Sequence, residues 1–219
     1  MKIYLAGYKT ISKHREECVK GIYLLSSFYE YKNTKIIPYH IIESNHILDS
    51  GAFSFFGEGK TIDWNKYVDD YCRFIIKTKQ DHFFELDIDN VTSLNHAEEL
   101  RETIEQKTGK QPIPVWRPSR GIEYWYKMCE EYSYISISAS GAYDSAWSRK
   151  KESIPALKKM IKIAHENNTL VHGLGFTSIP LLEHIKFDSV DSTTWLSAKY
   201  GEMCFFDGQK IITKRHKNR

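Results

Sequence analysis

"HILDSGAFSFFGEGKT" (46–61) leaves an apolar run at Asp49-Ser50-Gly51 and ends in a near match to a phosphate-binding loop. A phosphate loop needs Gly, four residues, then Gly-Lys-Ser/Thr, with the backbone wrapping the phosphates. Here Ser54 stands where the first glycine belongs, and Phe55 and Phe56 occupy the wrapping positions. Asp49-Ser50-Gly51 also separates the loop from the strand it should follow. The stretch therefore reads as a buried strand, "HIL", with a polar C-terminal end. Gly57 and Gly59 then make a turn before the next helix.

Outward from this strand, short β-like runs alternate with helical patterns. "KIYLAG" (2–7) reads as the first strand, and Cys18, Ile22, Leu25 and Tyr29 follow at helical spacing. Trp64, Tyr67, Val68, Tyr71 and Ile75 form a second apolar helix face, with Asp63 as N-cap. "HFFELDID" (82–89) is a strand, followed by a polar helix near 94–107. "IPVWRP" (113–118) is a strand that Pro118 ends. "YISISAS" (134–140) is the next, before a helix carried by Ile154, Leu157, Ile161 and Ala164 with Ser153 as cap. "TLVHGLG" (169–175), a short helix capped by Ser178, and "KFDSVDS" (186–192) complete the alternation. "MCFFDGQKIIT" suggests a hairpin around Asp207-Gly208 and a candidate eighth strand. Alternation of this kind gives a parallel sheet. The expected fold is α/β, a (β/α)8 TIM barrel, regular or irregular; an open doubly wound sheet is the competitor. One domain is expected over 1–213, with a basic tail, "KRHKNR", over 214–219.

The composition narrows the function. The chain has 219 residues, is 41% hydrophobic and carries a net charge of only +3, which alone does not argue for nucleic acid. Four cysteines lie far apart without a CxxC pair, and nine histidines form neither HxH nor HExxH. We expect no metal and no cofactor, and a reduced, cytoplasmic setting. No apolar run approaches the roughly 20 residues needed to span a membrane, and "MKIYLAGYKT" lacks a secretory signal's apolar centre. No GxSxG elbow occurs.

Each apolar run ends in small or polar residues. These are Asp49-Ser50-Gly51, then Asp87 and Asp89, Trp116-Arg117, Ser138 with Ser140 and Gly141, His172-Gly173, and Asp188 to Asp191. In a parallel barrel such positions face the C-terminal mouth, where active sites lie. Helix capping explains any one of them. Together they imply an acidic pocket with at least one cation.

Three of these segments together resemble the tRNA-guanine transglycosylase superfamily, including its small phage-type members that place 7-deazaguanine bases in DNA. That family has an Asp-Ser-Gly-Gly-aromatic run after a barrel strand, here "DSGAF" with Ala52 for the second glycine. Its late signature is Gly-x-Gly, a short helix, then Phe-Asp-Cys-Val. Here "HGLGFTSIPLLEHIKFDSV" matches in order, with Ser189 for the cysteine. "FFELDID" and "YISISASGA" resemble two further strands. The resemblance implies Asp188 as the nucleophile on the ribose and Asp49 as the group that moves a proton on the base. It implies Phe53 stacking on the base, Ser50 lining the pocket and Asp87 pairing with the base's N–H edge. The family's zinc-binding cysteine cluster is missing, which favours DNA over tRNA. The base-contacting Gln-Gly is replaced by Trp116-Arg117, and a late arginine by Thr194-Trp195.

The residue types support such chemistry. Breaking a glycosidic bond through an oxocarbenium-like transition state suits two carboxylates, one at the sugar and one moving a proton. Clustering of Asp49, Asp87 and Asp89 should raise at least one pKa. Asp191, expected on the same face of its strand as Asp188, is a rival nucleophile. Phe53, Trp116, Arg117, Arg120, Trp147, Arg149 and Trp195 are candidates for a rim that receives an unstacked base. The expected activity is exchange of guanine for a free 7-deazaguanine-type base on nucleic acid, through a covalent aspartyl–sugar intermediate. A hydrolytic glycosylase and a non-catalytic nucleic-acid-binding barrel are the alternatives.

Overall fold

A computed structural model describes residues 1–7, 20–34, 37–38, 41–42, 45–55, 62–138, 151–176, 178–193, 195–196, 202–206 and 211–215. Seven strands in these residues form one curled, all-parallel sheet of an α/β fold. They are β1 (Lys2–Ala6), β2 (Leu24–Ser27), β3 (His46–Asp49), β4 (Val115–Trp116), β5 (Tyr134–Ser138), β6 (Leu170–Leu174) and β7 (Ser189–Ser192). Their spatial order is β3-β2-β1-β7-β6-β5-β4. The two edge strands do not end the pattern. Leu48 of β3 makes a parallel bridge to Phe83, and Phe84 makes one to Ile113, just before β4. Backbone bonds accompany them: Phe84 N to Leu48 O at 2.9 Å and Ile113 N to Phe83 O at 2.7 Å. The expected strand 82–89 is thus reduced to its first residues.

Both faces of the sheet are covered, as parallel sheets require. Period-two alternation sends Tyr4, Ala6, Leu25, Ile47, Phe84, Ile113 and Val115 to one inner cluster. The neighbouring positions turn outward onto helices. Leu48 and Phe83 meet α2 (Trp64–Thr78) and α3 (Leu94–Thr108), while Ile135, Ile137, Val171 and Val190 meet α4 (Gly121–Glu131) and α5 (Ile154–Glu166). A short α1 (Phe28–Tyr31) follows β2, and a short α6 (Ile179–Leu182) follows β6. Asp63 caps α2 as expected, accepting from Lys66 N at 3.0 Å. Ser153 precedes α5 without a side-chain capping bond; a 3-10 turn, Lys151–Ser153, leads in instead.

Three expectations change. The helical spacing through Ile22, Leu25 and Tyr29 is interrupted by β2, which takes Leu25 and leaves only Tyr29 on a helix, α1; Leu24 and Leu25 are both buried, in a strand between β1 and β3. The expected C-terminal hairpin is present as β8 (Glu202–Phe206) and β9 (Ile211–Arg215). It pairs only within itself, in a separate antiparallel sheet, and so gives the parallel sheet no eighth strand. β9 also takes in Lys214 and Arg215, so the basic run begins inside the hairpin. The α4 helix was not expected at all; its Tyr124, Trp125, Met128 and Cys129 face the core. The Cys18 end of the first helix, the 57–59 turn, Asp207-Gly208, Trp147, Arg149, Thr194 and residues 216–219 lie outside the described residues. No helix among the described residues is long and apolar enough to cross a membrane.

Candidate active site

Because the strands are parallel, their C-terminal ends meet at one mouth. There Ala6 of β1 and Gly7 after it, Ser27 of β2, Asp49 of β3, Ser138 of β5, Leu174 of β6 and Gly175 after it, and Asp191 of β7 with Thr193 beyond it line a cavity of about 540 Å³. Glu30, Phe53 and Asp87 complete much of the wall. Of the residues expected at a site, Asp49, Phe53, Asp87, Ser138 and Asp191 come together here. Phe53 is 52% exposed.

The loop after β3 is fixed from below. Tyr67 and Tyr71, on the buried face of α2, reach the strand: the Tyr67 hydroxyl donates to Ser50 O at 2.6 Å, and the Tyr71 hydroxyl lies 2.9 Å from Phe84 O. Gly51 turns the chain with φ +72°, and its N–H meets Asp49 Oδ2 at 3.2 Å. Burial pushes the Asp49 carboxyl up to about 7, helped by the Asp87 and Asp191 carboxylates and opposed by the Gly51 and Ser50 amides. Burial likewise raises Asp87 to about 6, with Arg117 and Arg120 holding it back.

Asp87 is clamped by Arg117, whose Nη2 is 2.5 Å from Asp87 Oδ2. Behind it runs a buried ion network. Arg120 donates to Asp89 at 2.8 Å and to Glu85 at 2.7 Å. Arg101 and Val115 N also donate to Glu85, at 3.0 and 2.8 Å. Burial would raise Asp89, but the Arg120 bond and the charges of Arg120 and Arg117 outweigh it and leave the pKa lowered. Asp89 is thus a structural partner of Arg120 and does not line the cavity.

Asp191 is held differently. Its Oδ1 accepts the Gly175 N–H at 2.6 Å and lies 3.2 Å from His172 Nε2. Asp188, expected beside Asp49, sits at the opposite end of the sheet. Its carbonyl accepts from Lys2 N at 2.7 Å, where β1 begins. Its Oδ2 accepts from Val171 N at 2.8 Å and meets His165 Nε2 at 2.9 Å. Asp188 and Asp191 are three residues apart, so alternation puts them on opposite faces, contrary to the expectation that they share one. Asp188 and Asp49 therefore cannot face one bound nucleotide.

Other expected residues also stand away from the cavity. Trp116 turns outward against Trp125 and donates to Gly121 O at 2.7 Å. Gly173 faces the outer core, where a Cβ would stand 3.1 Å from Phe176, Phe187 and Val190. Ser50 is fully buried beneath the loop. His172 lies on the inner face below the cavity and reaches it through Asp191. Ser140 and Gly141 lie outside the described residues. The sequence reading missed Ser27 because it ran a helix through it, and the serine pair ending "YLLSS" was the available strand-end signal; Glu30, which does lie on a helix, α1, gave none. Gly7, at the end of "KIYLAG", was another.

The site offers a carboxyl that exchanges its proton near neutrality, a second carboxyl clamped by a cation, and a third held by donors. Among the described residues no group of three His, Cys, Asp or Glu side chains is placed to hold a metal ion. Neither a protein-family model nor a curated protein matches the chain.

Proposed function

We propose that this cavity exchanges a nucleobase on nucleic acid, with Asp191 as the nucleophile and Asp49 as the acid and base. The convergence of Asp49, Asp87 and Asp191 on one cavity of about 540 Å³ carries this reading. That volume suits a ligand of nucleoside size. In the first half, Asp191 Oδ2 bonds to the anomeric carbon as the bond to the departing base nitrogen breaks. The leaving nitrogen takes the proton that Asp49 holds. In the second half, the incoming base gives its N–H proton to Asp49, its nitrogen bonds to the anomeric carbon, and the Asp191 carboxylate departs. A group with a pKa near 7 suits both giving and taking. Asp87 faces the base's N–H edge, and Phe53 offers a stacking surface to a nucleotide drawn from its stack. The resemblance of "DSGAF" and "HGLGF" to the transglycosylase superfamily favours guanine as the base removed and a free 7-deazaguanine-type base as the partner. The likeness to that superfamily's small phage-type members, which act on DNA, favours DNA over tRNA.

The same reading takes the fold as a (β/α)8 barrel, the 83–84 segment standing as the strand between β3 and β4. Its parallel bridges to both sides support this. The buried free thiols of Cys72 and Cys129 suit a reducing, cytoplasmic setting.

The test is uptake of labelled guanine or 7-deazaguanine into duplex DNA, single-stranded DNA and tRNA, with adducts separated on denaturing gels. Asp191→Asn should abolish uptake and adduct, while Asp188→Asn should retain both. Uptake that survives Asp191→Asn overturns the assignment. Release of base that needs no added base would point to the hydrolytic glycosylase instead.

A further inference from the structure

We propose that His172, backed by Ser189 and Tyr134, is a positioning residue that presents one fixed N–H, on Nε2, to Asp191. The role in turnover rests on Asp191 being the nucleophile; the proton arrangement does not. A line of side chains runs along the inner face of the sheet from the cavity toward its opposite end. Asp191 Oδ1 is 3.2 Å from His172 Nε2, and His172 Nδ1 is 2.6 Å from Ser189 Oγ. Ser189 Oγ is in turn 2.5 Å from the Tyr134 hydroxyl. The line follows from register, since β6 sets His172 between Ser136 of β5 and Ser189 of β7. His172 is fully buried, and its ring is boxed by Phe84, Tyr4 and Tyr134 at centroid distances of 5.3, 5.9 and 6.4 Å. Tyr134 forms part of a second cavity, beside His82, at the far end.

Counting protons gives the line a direction. Burial raises the Tyr134 hydroxyl well above its ordinary range, so it keeps its proton, and in a contact that either hydroxyl can donate we take Tyr134 as the donor to Ser189. The one Ser189 proton then goes to His172 Nδ1. A neutral imidazole filled from that side carries its hydrogen on Nε2, aimed at Asp191. The reverse arrangement would set a nitrogen lone pair against a carboxylate. Asp191 Oδ1 thus receives two donors, Gly175 N–H and His172 Nε2–H. When Oδ2 bonds to the sugar, Oδ1 becomes the ester carbonyl, and the same two donors stabilise the carboxylate as it leaves again. No proton travels along the line; the proton of the exchange stays with Asp49 and the bases.

The test begins without substrate, so its failure is separate from failure of the base-exchange reading. Protein labelled with 15N-histidine is examined by NMR, with the His172 signal assigned by its loss in His172→Gln. An Nε2–H ring is expected, and in Ser189→Ala the proton should stay on Nε2, held by Asp191, while the Nδ1 resonance moves downfield as its lone pair loses the serine proton. An Nδ1–H ring, an imidazolium, or an Nδ1 resonance unmoved in Ser189→Ala overturns the proposal. In the exchange assay Tyr134→Phe, which keeps the ring packing, should lower kcat about tenfold with KM unchanged, the worth of roughly one hydrogen bond. An unaltered kcat overturns the role in turnover.

Discussion

Asp49 gives up its proton near pH 7 in the fold but near pH 4 in an unfolded chain, about the ordinary value for an aspartate. Between those values the folded state binds more protons, so stability falls as pH rises. Asp87, raised to about 6, acts in the same direction. Asp49→Asn removes the cost, and should raise Tm by a few degrees, roughly 2–4 °C, at pH 8. The gain should shrink toward pH 5, where the folded carboxyl is already neutral. Thermal melts of both proteins across this range check it; a gain larger at pH 5 would contradict the sign. The aspartates also show how far letters go. "FDSVDS" displays two aspartates, and motif order selects the first. Direction along a strand selects the second, because three residues at about 3.3 Å each separate one end of the sheet from the other. Order in sequence carries no record of which strand end is up until the neighbours, Lys2 and Val171, are known.

At the scale of elements, the ion network couples parts that the backbone leaves apart. Glu85 is fully enclosed, with Arg101 of α3, Arg120 at the start of α4 and the Val115 amide of β4 on its oxygens. Glu85→Gln leaves two buried cations short of one charge and should cost about 3–5 kcal/mol. Chemical-denaturant midpoints measure it, and a loss below about 1 kcal/mol would place the pair in the range of exposed bridges. Most helices and strands were legible because their apolar spacing is long and regular, as in Trp64 to Ile75 with Asp63 before it. The β2 segment was not, since Ile22, Leu25 and Tyr29 fit a helical stripe equally well over so short a span. Burial of both Leu24 and Leu25 is a tertiary fact. Glu85 escaped notice for a similar reason: a carboxylate inside an apolar strand run gives no hint of its partners 16 and 35 residues away.

For the whole molecule, the question is whether the sheet has edges. The bonds to Leu48, Phe84, Glu85 and Ile113 amides tie the 82–85 segment to β3 on one side and to the approach to β4 on the other. If these complete a barrel, all four amides should exchange with deuterium as slowly as the amides of β5 and β6. Exchange at the rate of exposed edges would leave an open sheet. The alternation of strands and helices made a parallel α/β sheet readable from the outset. It also marked "HFFELDID" as the segment between β3 and β4, but not how little of it pairs, because its later residues go to ion pairs and cavity wall rather than to a ladder.

Gly51 ties two parts of the chain into one unit of descent. Any side chain there would meet Ser27 Oγ at 2.2 Å and Tyr29 Cβ at 2.5 Å, on a backbone already at φ +72°. A lineage that loses this glycine must rebuild the end of β2 in the same step. The 27–29 and 49–51 segments therefore drift together or stay still, whatever chemistry the neighbouring aspartate performs.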